Sequence, residues 1–315
     1  MIDTHPTSFA GVLPTPNWAF ARYQQIRPTL PHALPPDQQP ETTELGSLAP
    51  LIDRFQVFVF DAFGVLNAGP RAFPAAIDRI RQLQTLGKTV MILSNAATAS
   101  HEALVIKYQR MGFAISPNDL VSSRWVLEQQ LHRQPMAGRI GVLAPESSAP
   151  ETLPVDWIPV RPGMDTRQLD SLDGFIFLSS EGWNETIHRA LSDSLQHQPR
   201  PLAVANPDLV APRGDCLTLE PGYFAHLLME QCGIQPEFYG KPYQPAFRAV
   251  LDQLGDVRAD ETLMVGDTLH TDILGGQAAG MKTLLITAEG SLKGMNIPDC
   301  IAQSGIAPDY QAPAI

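Results

Sequence analysis

Four consecutive apolar residues, Val57-Phe58-Val59-Phe60, run straight into Asp61, and Gly64 follows three positions later. An unbroken β-branched and aromatic run has no polar face to offer to solvent. It therefore predicts a strand buried on both sides, as in a parallel sheet covered by helices. Sheets of that kind carry their chemistry at the C-terminal ends of the strands, where Asp61 stands. A carboxylate there, with a glycine that lets the backbone turn, is either a helix-capping residue or a nucleophile and metal ligand.

Three later segments bear on that choice. Val90-Met91-Ile92-Leu93 ends in Ser94-Asn95, Phe238-Tyr239-Gly240 leads to Lys241-Pro242, and Thr262-Leu263-Met264-Val265 ends in Gly266-Asp267, with His270 and Asp272 close behind. Each polar group falls at or near the end of a candidate strand. In this order and spacing the set resembles the haloacid dehalogenase (HAD) superfamily of phosphohydrolases, and within it the class IIA, NagD-type members. The resemblance runs from about Ser47 to about Gly290. It implies an α/β fold, with a doubly wound, mostly parallel, Rossmann-like core and an inserted α/β cap domain of the C2 type.

Taken in order, residues 1–46 are proline-rich and show no sustained period, which forbids regular structure over most of their length. They read as a flexible tail, although Phe9, Trp18, Phe20 and Tyr23 fit a segment that wraps the body of the protein. Ser47 to Phe55 reads as a short helix. Helices over Ala75 to Leu86 and Ser100 to Met111, each closed by a glycine, alternate with the strand Thr89 to Leu93, and the crossover rule makes the strands parallel neighbours. From Leu120 on, short strands at Ile140–Leu143, Trp157–Val160, Gly174–Leu178 and Pro201–Ala205 alternate with helical stretches such as Asn184 to Leu195. The expected division is an N-terminal extension (1–46), a catalytic core (47–121 and 235–315) and a cap (122–234). The core resumes with Lys241, a helix from Pro245 to Leu254, a helix from Thr271 to Ala279 and a strand from Lys282 to Ile286. The tail from Asn296 reads as loop.

The net charge of −11, with no basic run, argues against a nucleic-acid surface. Cys216, Cys232 and Cys300 are scattered, without metal-binding or disulfide spacing, and this points to a reducing, cytoplasmic setting. No secretory signal pattern opens the sequence, and no apolar stretch approaches the ~20 residues that span a bilayer.

The resemblance assigns roles. Asp61 is the nucleophile and a ligand of Mg²⁺; Asp267 and the backbone carbonyl of Phe63 are further ligands; Asp272 holds a metal-bound water or orients Lys241. Ser94 and Asn95 present a hydroxyl and an N–H to the phosphate of a small phosphorylated substrate, and Lys241 supplies positive charge. Asn206, in Ala205-Asn206-Pro207-Asp208, is either a plain turn residue or a substrate contact. His270 reads as an exposed loop residue. A homodimer is in keeping with the family. One departure stands out. HAD phosphatases carry a second aspartate two positions after the nucleophile, which protonates the leaving group; here that position is Phe63. The reaction therefore draws its proton from elsewhere (Glu181, His188 and His226 are candidates), or favours good leaving groups or phosphoryl transfer to an acceptor, or the protein binds phosphorylated ligands without turnover.

Overall fold

The computed structural model describes residues 5–148, 150–213 and 216–315. Two compact units emerge: a core unit of residues 20–94, 102–122 and 241–315, and an inserted unit of residues 5–19, 95–101 and 123–240.

The core unit is built on a seven-stranded sheet. Its strands run in the order Thr43–Glu44, Tyr310–Ala312, Lys282–Ile286, Thr262–Gly266, Val57–Phe60, Thr89–Ser94 and Leu120–Ser122, and every pairing is parallel. The all-apolar strand Val57–Phe60 is fully buried, as its composition requires. Helix Pro74–Thr85 buries Ala76, Ile80 and Leu83. Chain order reverses between Val57–Phe60 and Thr262–Gly266, since Thr89–Ser94 and Leu120–Ser122 lie to one side of Val57–Phe60 and the late strands to the other. That reversal opens a crevice at the C-terminal strand ends.

The core departs from the sequence reading in four places. Ser47 to Phe55 holds only the 3₁₀ turn Ala49–Leu51 rather than a helix. Residues from Asn296 on are not loop: Ile297–Ser304 is a helix, with the Asn296 side chain accepting from the N–H of Asp299, and Tyr310–Ala312 is a strand. Pro298 does not prevent this, because the first turn of a helix needs no N–H from that residue. His270 is buried at 1% exposure rather than exposed. Finally, residues 20–46 are not a loose tail. Phe20 and Tyr23, on the helix Pro16–Gln25, are buried, and Thr43–Glu44 extends the sheet beside Tyr310–Gln311.

The inserted unit has its own parallel sheet, ordered Glu237–Phe238, Leu202–Val204, Gly174–Phe177, Arg139–Leu143, Asp156–Pro159. Helix Glu185–His197 is capped by Asn184, which accepts from Thr186 and Ile187. Residues 5–19 pack here. The N–H of Leu219 donates to the carbonyl of Pro6 at 2.8 Å, and Phe9 meets His188 and Phe224 edge-on, both at 5.1 Å. No described helix is long and apolar enough to cross a membrane.

Candidate active site

Parallel pairing brings three separate stretches of sequence to one end of the core sheet. Phe60 is in register with Val265 on one side and Ile92 on the other, so Asp61, Asp267 and Ser94 leave adjacent strands at nearly the same level. The backbone of Asp61 is still held by the sheet, its N–H donating to the carbonyl of Val265 at 2.8 Å.

Asp61, Asp267 and Asp272 are all buried and offer carboxylate oxygens within 4.8 Å of one another. Lys241 is buried with them, donating to Asp61 and lying 2.7 Å from Asp272. Burial raises the Asp61 carboxyl well above its ordinary range, opposed by the Lys241 charge and reinforced by Asp272 and Asp267. Asp267 is pushed up to about 7, first by burial and then by Asp272. Burial works against the Lys241 ammonium, yet Asp272 and Asp61 together hold its pKa above the usual lysine value. Three buried carboxylates around a single ammonium are short of positive charge, and oxygen donors at this spacing suit a hard divalent cation.

Asp267 is fixed from behind by residues that the sequence did not single out. The N–H of Ser291 donates to its Oδ2 at 2.5 Å, and the hydroxyl of Thr268 donates to its Oδ1 at 3.2 Å. Room for the carboxylate comes from two glycines, Gly64 and Gly290, both at φ +85°; a Cβ at Gly64 would meet Asp267 Oδ2 at 2.8 Å, and one at Gly290 would overlap the carboxylate outright. Asp272 is held too, its Oδ2 accepting from the N–H groups of Asp267 and Thr268, both at 3.1 Å. Ser94 is buried at its strand end, and the phenol of Tyr108, on helix His101–Arg110, hydrogen-bonds to it. Burial, with a contribution from the Asp61 charge, pushes the Tyr108 hydroxyl up to about 12. Tyr108 was legible only as one of the helix's apolar positions. Ser291 lies in a Gly-Ser loop after the strand Lys282–Ile286, and that is the signal it left.

The other sequence-selected residues make the following contacts. Phe63 is half-buried and forms a bridge with Asn67, four residues further on. Asn95 belongs to the inserted unit, where its side chain donates to Asp208 at 2.8 Å. Asn206 belongs there too, donating to Glu220 at 3.1 Å while its carbonyl oxygen accepts from the N–H of Asp208. His188 is 3.1 Å from Gln231, and His226 stacks on Phe238. Glu181 lies 3.9 Å from His5.

Comparison with known proteins agrees with this geometry. The family profile of haloacid dehalogenase-like hydrolases matches residues 58–155, and that of HAD-hydrolase-like proteins matches residues 238–313. Chronophin from Mus musculus is 28% identical over 282 residues, covering 86% of this chain and 94% of its own. Glycerol-3-phosphate phosphatase from Homo sapiens is 26% identical over 297 residues, covering 84% and 90%. Among solved structures, a possible sugar phosphatase from Cytophaga hutchinsonii superposes with a TM-score of 0.75 at 26% identity, over 86% of this chain and 98% of the other. The chain belongs to the haloacid dehalogenase superfamily, class IIA, related to chronophin and the p-nitrophenyl phosphatases.

Proposed function

We propose that the protein is a Mg²⁺-dependent phosphatase of small phosphorylated metabolites, acting through Asp61. The observation that carries the reading is the buried cluster of Asp61, Asp267 and Asp272 around Lys241 at the ends of adjacent parallel strands. Relatives named as phosphatases of glycerol 3-phosphate and 4-nitrophenyl phosphate support the substrate class. In this reading residues 122–234 serve as the cap that selects the substrate.

A carboxylate oxygen of Asp61 attacks phosphorus as the ester P–O bond breaks, giving an aspartyl phosphate and an alkoxide or phenoxide that must take up a proton. Water then attacks phosphorus, releasing inorganic phosphate and restoring the carboxylate. Asp61, Asp267 and the carbonyl of Phe63, with Asp272 behind, would hold Mg²⁺, which would supply the charge that lets a carboxylate approach a phosphate dianion. Lys241 stays protonated, offsets part of the charge of Asp61 and Asp272, and donates to the phosphate. Ser94, backed by Tyr108, donates a hydroxyl. Asn95 and Asn206 are assigned to the substrate side.

Phe63 can neither give nor take a proton, and loss of a general acid costs roughly 10²–10⁴-fold, most for alkoxide leaving groups. Aryl and other activated phosphates are therefore the better substrates. The test is phosphate release with Mg²⁺ from p-nitrophenyl phosphate and from glycerol 3-phosphate, with Asp61→Asn as control. Turnover of the aryl ester alone, abolished in the control, supports the full reading. Equal turnover of both would mean that another donor replaces the missing aspartate. Failure of both with phosphate still bound would make the protein a binder of phosphorylated ligands.

A further inference from the structure

The inserted sheet carries its own reversal of strand order. Its first strand, Arg139–Leu143, lies between its second, Asp156–Pro159, and its third, Gly174–Phe177. Loops leaving the two strands at such a point diverge and leave a crevice at their C-terminal ends. A cavity of about 670 Å³ occupies this position, lined by the residues that follow all three strands. Its size falls in the range of roughly 300–1,000 Å³ that holds small ligands.

The lining is specific in chemistry. Trp157 and Trp183 contribute aromatic surface. Trp183 is 7% exposed, and its indole N–H has no hydrogen-bond partner among the described residues. The acidic members are Glu146, Glu151 and Glu181; the one basic member is Arg161, whose guanidinium is committed to Glu146 at 2.7 Å. An excess of carboxylate repels phosphate and favours amino groups and cations, which aromatic faces also attract.

We infer that this cavity is a second ligand site, one that takes an unphosphorylated heteroaromatic amine of nucleoside size. The ring packs on the tryptophans, and its amino or hydroxyl groups donate to Glu151 and Glu181. None of the lining residues belongs to the Asp61 cluster, so the inference stands or falls apart from the phosphatase reading.

The test uses full-length protein labelled with 5-fluorotryptophan and ¹⁹F NMR, with adenosine as probe. The four resonances, Trp18, Trp125, Trp157 and Trp183, are assigned by single Trp→Phe variants. Adenosine should shift the Trp157 and Trp183 lines saturably, equally in wild type and in Asp61→Asn, and AMP should bind at least about tenfold more weakly at this site. Trp183→Phe, followed on the Trp157 line, should weaken adenosine about tenfold. Ala144→Phe, at a half-buried position of the lining, should abolish the shifts while leaving the fold intact by circular dichroism; Ser179→Leu replaces it if that variant does not fold. The inference is overturned if adenosine and cytidine leave both lines unmoved to about 10 mM, if the shifts survive the folded cavity-filling variant, or if AMP binds this site as tightly as adenosine.

Discussion

Tyr23 lies flat on His270, with ring centroids 5.1 Å and planes 11° apart. Phe20 meets the same imidazole edge-on at 5.2 Å, and Gln24 Oε1 is 2.8 Å from its Nε2. A segment near the start of the chain thus covers the turn that carries Asp267 and Asp272. Tyr23→Ala should destabilise the protein by about 3 kcal/mol, the usual range for truncating a buried aromatic side chain. Deleting residues 1–46 should lower the melting temperature further, because it also removes the edge strand Thr43–Glu44. An unchanged melting temperature in the truncated protein would contradict this.

The same imidazole makes stability depend on pH. Burial, with the positive charge of Arg27, lowers its pKa to about 3 from an ordinary 6.5. Below about pH 6.5 the unfolded chain takes up a proton that the folded chain refuses. His270 therefore costs no stability above pH 6.5, and its contribution declines by roughly 1.4 kcal/mol per pH unit as the pH falls from there towards 3. His270→Phe keeps the aromatic packing and should flatten this part of the profile in denaturant unfolding. Parallel profiles for wild type and variant would exclude the account.

Phe63 is placed to be repaired. Phe63→Asp should raise kcat on glycerol 3-phosphate by ~10²-fold and on p-nitrophenyl phosphate far less, since only the poor leaving group needs its proton. Equal gains on both substrates would show that the substitution acts by some route other than proton donation.

Tyr108 touches Ser94 rather than any reacting atom, so its role is positioning. Tyr108→Phe removes one hydroxyl and should raise KM about three- to tenfold, in line with one lost hydrogen bond of ~1 kcal/mol, with kcat little changed. Ser94→Ala should give the larger loss, and in the Ser94→Ala background the Tyr108 substitution should add nothing. Additive losses in that double-mutant cycle would refute the coupling.

Gly290 gives the Asp267 carboxylate its space. Gly290→Ala places a methyl group against that carboxylate and imposes an L-residue on φ +85°. It should weaken Mg²⁺ affinity by at least about tenfold by calorimetry and lower the melting temperature by several degrees. Gly87→Ala, at a left-handed position with open space around it, carries the backbone strain alone and should leave Mg²⁺ affinity unaltered.

The parallel core was legible because strands buried on both faces, such as Val57–Phe60, can be nothing else, and because polar residues concentrate at their C-terminal ends. Asp61, Lys241, Asp267 and Asp272 could be singled out for that reason, and the structure brings these four together. Burial of His270 could not be read, since the residues that cover it lie at the far end of the sequence and only folding supplies them. Ser291 holds the Asp267 carboxylate through its backbone N–H, a group every residue but proline carries, so only its place in a Gly-Ser loop could be read. Tyr108 presented a helical period, and a ring at such a position packs equally well with or without a hydroxyl. The helix Ile297–Ser304 was hidden by Pro298, whose ring is a breaker in the middle of a helix and a starter at its first turn.

The hydrogen bond from the Asp61 N–H to the Val265 carbonyl has a temporal consequence. During synthesis Asp61 emerges early, but the strand that steadies it, the carboxylate beside it and the serine behind that carboxylate all emerge in the last part of the chain. Until the ribosome has nearly finished, Asp61 stands at the end of an incomplete sheet, and a prematurely terminated chain lacks the carboxylates with which it clusters.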